Sequence, residues 1–159
     1  MLTRLLPEQV SAFWDIIKFG IEESVPPIVG ESPDRLNRIL SSILSDKTQC
    51  WASYRREGED LIFEGICLTK IIFDDTSDTK NLLIYSVYGY NKGVEESWME
   101  AFLSVAKYAV AQKCTQIVTY TTVPYLIEKA KKYGANTDYT FIVFNIPQTS
   151  KKIINKEIR

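Results

Sequence analysis

The sequence contains no histidine. Without an imidazole it can build no Ser/His/Asp or Cys/His nucleophile system, no imidazole metal site and no ordinary switch near neutral pH. Cysteine is scarce as well: Cys50, Cys67 and Cys114 are odd in number and far apart. No pair has metal-ligand spacing, so no metal site is expected, and free thiols in a reducing compartment are the expectation. An excess of either charge is also missing. The 19 Lys and Arg against 20 Asp and Glu give a net charge of −1, which offers no broad basic field to nucleic acid. No apolar run approaches the ~18 residues of a spanning helix. The opening Met-Leu-Thr-Arg-Leu-Leu-Pro lacks the apolar core and small-residue cleavage site of a secretory signal. These absences predict a soluble, cytoplasmic protein with neither a membrane nor a nucleic-acid partner.

What is present is an ordinary globular composition. The 159 residues are 45% hydrophobic and 25% charged, enough for one domain with its own core. Residues 1–146 carry the folding pattern, and 147–159 form a polar, Lys-rich tail. Pro7 suits a first helical turn, and Val10, Phe13, Trp14, Ile17 and Ile21 follow at helical spacing. A second helix is expected from Ser32 as cap and Pro33 at its first position, with Leu36, Ile39, Leu40, Ile43 and Leu44 as its buried stripe. Two helices thus precede any strand.

The pattern then turns to strands. Residues 49–56, 61–73 and 81–88 predict an antiparallel meander, with a turn at Glu57-Gly58-Glu59-Asp60 and a bulge marked by Gly65. Asp74, Asp75 and Asp78 sit in the next turn at a spacing that matches no calcium loop. A long helix follows over 95–113, burying Trp98, Met99, Phe102, Val105, Ala106, Ala109 and Val110. Then come a strand at 115–122, a helix at 124–133 and a strand at 139–146. The fold class is α+β, layered α/β/α, with a mixed sheet and one crossover unit.

That order resembles the GNAT superfamily of acyl-CoA-dependent N-acyltransferases. The resemblance rests on three features: the strand Leu82-Leu83-Ile84-Tyr85-Ser86-Val87-Tyr88, the Gly-containing loop that opens the long helix, and Leu126-Ile127-Glu128-Lys129-Ala130-Lys131-Lys132-Tyr133-Gly134. It implies acetyl-CoA or CoA as cofactor. Tyr88 would line the cleft, and the loop Lys92, Gly93 and Val94 would hold the pyrophosphate. The family's loop reads Gln/Arg-x-x-Gly-x-Gly/Ala; here Tyr90 stands at the first position and Glu95 at the last, leaving Gly93 as the one match. Glu95 and Glu96 suit a helix N-terminus, at ~0.3–1 kcal/mol each, but repel a diphosphate. Many members carry a Tyr general acid four residues before the Gly of that closing helix. Ala130 occupies that place, which leaves Tyr133 or Tyr125 as a substitute. Glu64, on a strand that would border the acceptor cleft, is the candidate base. At period two, Tyr88 should share a face with Ser86 and Tyr90, with Tyr85 and Val87 opposite.

Two functions follow from these residues. One is a GNAT fold that has lost acyl-CoA chemistry, holds no cofactor and acts as a binding or assembly component, for example in a virus-like particle. Its partner would be another protein or a second copy, met through the 147–159 tail and its ridge of Ile153, Ile154 and Ile158. The alternative is an active, divergent acyl-CoA-dependent N-acyltransferase acting on an amine.

Overall fold

The computed structural model describes residues 2–91 and 95–157. Along the chain run β1 (Leu2–Arg4), α1 (Pro7–Ala12), α2 (Trp14–Glu22), a 3₁₀ turn (Pro27–Val29), α3 (Arg35–Leu44), β2 (Gln49–Glu57), β3 (Asp60–Asp74), β4 (Thr79–Gly89) and α4 (Glu95–Ala111). They are followed by β5 (Gln116–Thr119), α5 (Pro124–Lys132) and α6 (Ile146–Glu157). Residues 1–120 and 121–159 form two compact units.

In the first unit the strands lie in sequence order, β1-β2-β3-β4-β5, antiparallel except for the parallel β4–β5 pair. One face of the sheet packs against α1, α2 and α3 through Val10, Ile17, Ile21, Ile39, Ile66 and Leu68. The other face buries Leu2, Trp51, Cys67 and Leu82 with Val105 and Ala109 of α4. Between β2 and β3 runs a buried polar chain: Trp51 Nε1–H donates to Thr69 Oγ1, and the Thr69 hydroxyl donates to Gln49 Oε1, each at 2.9 Å. Cys50 and Cys67 are buried and unpaired, while Cys114 is half-buried. Burial pushes both interior thiols up to about 12, which makes them inert at neutral pH.

Several local expectations change. The first helix is two helices, because Phe13 leaves helical geometry at φ −110° and sets its ring edge-on to Phe63 at 5.3 Å. The second begins at Arg35 rather than Pro33, with Asp34 in the left-handed region as its cap. A strand, β1, precedes the helices and pairs with β2 from Leu2↔Ser53 to Arg4↔Trp51. Three residues are too few for a period to register.

In the second unit Pro124 opens α5, and the helix closes on Gly134 at φ +90°. Gly134 N–H bonds Lys131 O and Ala135 N–H bonds Ala130 O, the paired closure that a left-handed residue permits. Residues 135–145 carry neither helix nor strand, so the strand expected at 139–146 is absent. Tyr139, Ile142 and Phe144 there are 83%, 70% and 71% exposed. Strand propensity is a preference for a covered, paired surface, and it forms no strand without a partner edge. The tail expected at 147–159 is helical through Glu157, within α6.

Candidate active site

β4 and β5 pair in parallel only from Asn81↔Gln116 to Ile84↔Thr119. The Thr119 hydroxyl donates to Ile84 O at 2.9 Å and closes the pairing. β5 ends there, yet β4 continues to Gly89. From Tyr85 onward the β5-facing edge of β4 therefore has no strand partner among the described residues. Such an edge is a row of amide donors and acceptors, suited to a ligand that itself carries amides.

The register shows what happens at this point. Leu68 pairs with Ser86 and Thr69 with Ile84, so Tyr85 is an extra residue in β4, a β-bulge. A bulge bends its strand and places two successive side chains on one face. Tyr85, Tyr88 and Tyr90 accordingly pack with the α1–α3 layer, whereas Ile84 and Val87 pack with α4. This corrects the expectation that Tyr85 and Val87 share a face. Ser86 turns toward the same helices and shares a hydrogen bond with Ser24, whose hydroxyl also bonds Gly20 O at 2.6 Å.

Beside the bulge an aromatic surface is built from α2 and β4. Tyr88 is half-buried, edge-on to Phe19 at 5.9 Å and to Tyr90 at 5.1 Å. Tyr90 donates its hydroxyl hydrogen to Ile16 O in α2 at 2.6 Å. Expected at the head of a cofactor loop, Tyr90 braces a helix here. Burial raises the Tyr90 phenol well above its ordinary range, with smaller contributions from Cys50 and Tyr88. Tyr85 is also raised by burial, so both stay protonated at neutral pH.

Glu64 is the extra residue of a second bulge, between Ser53↔Gly65 and Tyr54↔Phe63. The bulge marked by Gly65 in the sequence thus falls one residue earlier. The Glu64 carbonyl accepts from Tyr90 N–H at 3.0 Å, tying this bulge to the end of β4. Its carboxylate is partly exposed and 4.0 Å from Arg55 Nη1. A side chain at Gly65 would be tight, since a Cβ would lie 3.2 Å from Tyr88 O. Glu64 and Tyr88 are thus held at one end of the sheet. Tyr133 belongs to the second unit, where its N–H closes the last turn of α5 on Lys129 O and Ala130 O. The expected cofactor loop, Lys92, Gly93 and Val94, lies outside the described residues. Sequence reasoning missed the bulge at Tyr85 and the Ser24–Ser86 pair, because β4 contains no glycine or proline at that point to mark either.

No family model matches the sequence, and no curated protein matches it. Solved structures do. A predicted acetyltransferase of Clostridium acetobutylicum, crystallised with acetyl-CoA, superposes with a TM-score of 0.66 at 14% identity, covering 93% of this chain and 97% of that one. An aminoglycoside acetyltransferase from an uncultured soil metagenomic sample, in complex with sisomicin, gives 0.65 at 10% identity, over 91% and 93%. The ribosomal-protein-alanine N-acetyltransferase of Brucella melitensis gives 0.60 at 12% identity, over 91% and 99%. Identities this low speak for fold alone, and the fold they share with this chain is that of the GNAT N-acyltransferases.

Proposed function

We propose that the protein is an acyl-CoA-dependent N-acyltransferase acting on an amine acceptor. The observation that carries this reading is the bulge at Tyr85, placed where β4 parts from β5 and leaves its own edge open. A strand edge of free amides, bent at one residue, is what binding and polarising an amide-rich thioester asks of a sheet. The acetyltransferases of like fold support the same reading, one of them crystallised with acetyl-CoA. The competing expectation, a fold that has lost its chemistry, rests on Tyr90, Glu95 and Ala130 in the sequence and on the 147–159 tail. The open edge favours the enzyme.

The acyl thioester supplies an activated carbonyl carbon. The amine nitrogen attacks it, the carbon–sulfur bond breaks, the amine loses a proton and the departing sulfur gains one, so no further reactant is required. The chain contributes orientation and fixed dipoles: edge amides near Tyr85 to steady the developing oxyanion, and the Phe19–Tyr88 surface to exclude water. Glu64 is assigned as the base for the amine and Tyr133 as the acid for the sulfur.

Titration calorimetry with acetyl-CoA and with free CoA tests the proposal. Micromolar binding is expected, followed by CoA release when primary amines are added. Absence of heat up to millimolar cofactor would remove the enzyme reading. Glu64→Gln and Tyr133→Phe should each lower kcat by about 10²–10⁴-fold if they carry the two proton transfers. A variant with unchanged kcat loses its assignment.

A further inference from the structure

On the α3 side of the sheet lies a cavity of about 260 Å³. Its lining carries three cations, Arg35 and Arg38 from α3 and Lys70 from β3. None of them has a carboxylate within 4.0 Å among the described residues; Arg35 Nη1 donates instead to Gly30 O at 3.1 Å. No acidic side chain lines the space. Hydroxyls complete it, from Ser42, Thr48 and Tyr85. Ser42 Oγ and Thr48 Oγ1 are 2.7 Å apart and share one hydrogen bond, which leaves the second hydroxyl hydrogen of the pair for another acceptor.

Cations brought together without counter-charge repel one another, and an anion between them converts that repulsion into charge-assisted hydrogen bonds. The volume is below the ~300 Å³ at which pockets enclose a drug-sized ligand, so it suits a head group rather than a whole cofactor. Tyr85 belongs both to this lining and to the β4 bulge. We propose that the cavity seats an oxyanion, a carboxylate or a phosphate, borne by the acceptor amine, so that the protein selects acidic acceptors. The acceptor role rests on the acyltransferase reading; the anion seat does not.

Backbone-amide NMR of the full chain tests it, with inorganic phosphate and succinate titrated separately against sodium chloride of equal ionic strength. Saturable shifts at Arg38, Ser42, Thr48 and Tyr85 in the millimolar range are expected, and whichever ion saturates first names the group. Arg38 and Lys70 are exposed, so Arg38→Gln and Lys70→Gln should keep the fold and weaken binding about tenfold each, the weight of one charge-assisted hydrogen bond. Arg56→Gln, outside the lining, should leave it unchanged. Shifts that never saturate, or that ignore Arg38→Gln and Lys70→Gln, overturn the proposal. Acetyl-CoA added to the same sample separates the two readings. Cofactor binding without an anion response sinks the seat and spares the acyltransferase. Anion binding without a cofactor response keeps the seat and removes its acceptor. Displacement of phosphate by acetyl-CoA at these four residues would give the cavity to the cofactor and overturn the acceptor assignment.

Discussion

Replacing Gly20 by alanine sets two effects of opposite sign against each other. Gly20 lies inside α2, and a helix interior normally gains about 0.5–1 kcal/mol from alanine over glycine. Here the added Cβ would stand 2.7 Å from both Ile66 Cδ1 and the Tyr90 hydroxyl oxygen, closer than packed atoms approach. Relief requires Ile66 to move within the core and Tyr90 to give up its bond to Ile16 O. Overpacking of this kind costs about 1–3 kcal/mol, and the lost hydrogen bond about 0.5–1.5 kcal/mol. The balance is a destabilisation of about 1–3 kcal/mol, a fall in Tm of roughly 3–10 °C for a chain of this length. Thermal unfolding of the wild type, Gly20→Ala, Tyr90→Phe and the double variant measures it. Removing the phenol oxygen takes away one of the two obstructions, so the double variant should be more stable than the sum of the singles by about 0.5 kcal/mol or more. A Gly20→Ala protein with a raised Tm would refute the packing of α2 against Tyr90.

Thr69→Val should cost about 1–3 kcal/mol for each of Trp51 Nε1 and Gln49 Oε1 left unpaired in the core, read from urea midpoints. A neutral result would mean that water replaces the hydroxyl. In native protein at pH 8 a thiol reagent should label Cys114 ahead of the other two, with all three reacting once the chain is unfolded; fast labelling of Cys50 would contradict its burial. Stability should fall with alkaline pH. Cys50 and Cys67 keep their protons up to about 12 when folded but release them near 9 when unfolded. The native state thus binds more protons across pH 9 to 12, and stability declines over that window. A flat urea midpoint across it would refute the thiols' burial.

Long elements were legible in the sequence: β3, β4 and α4 stand where they were expected, although Met99 and Val110, expected on the buried face of α4, are exposed. Lys131-Lys132-Tyr133-Gly134 marks the end of α5 as expected, because a left-handed closure calls for glycine. The misses share a cause, which is that tertiary contact decided them. Phe13 breaks a helix to reach Phe63, and β1 exists because β2 offers an edge. Residues 139–146 have the composition of a strand without being one, since composition cannot supply a neighbour. The bulge at Tyr85 is the most consequential miss: the aromatic–aliphatic run around it reads as an unbroken strand.

That bulge is one residue long, and its deletion would be one codon. Without Tyr85, β4 returns to simple alternation with Ile84 and Val87 still toward α4, and Ser86 and Tyr88 still toward α2. No layer has to be re-sorted. A lineage could therefore lose the bend in a single in-frame step while inheriting the core intact, and the reverse insertion could restore it. In this chain the scaffold and the bend are separable by the smallest change that a reading frame permits.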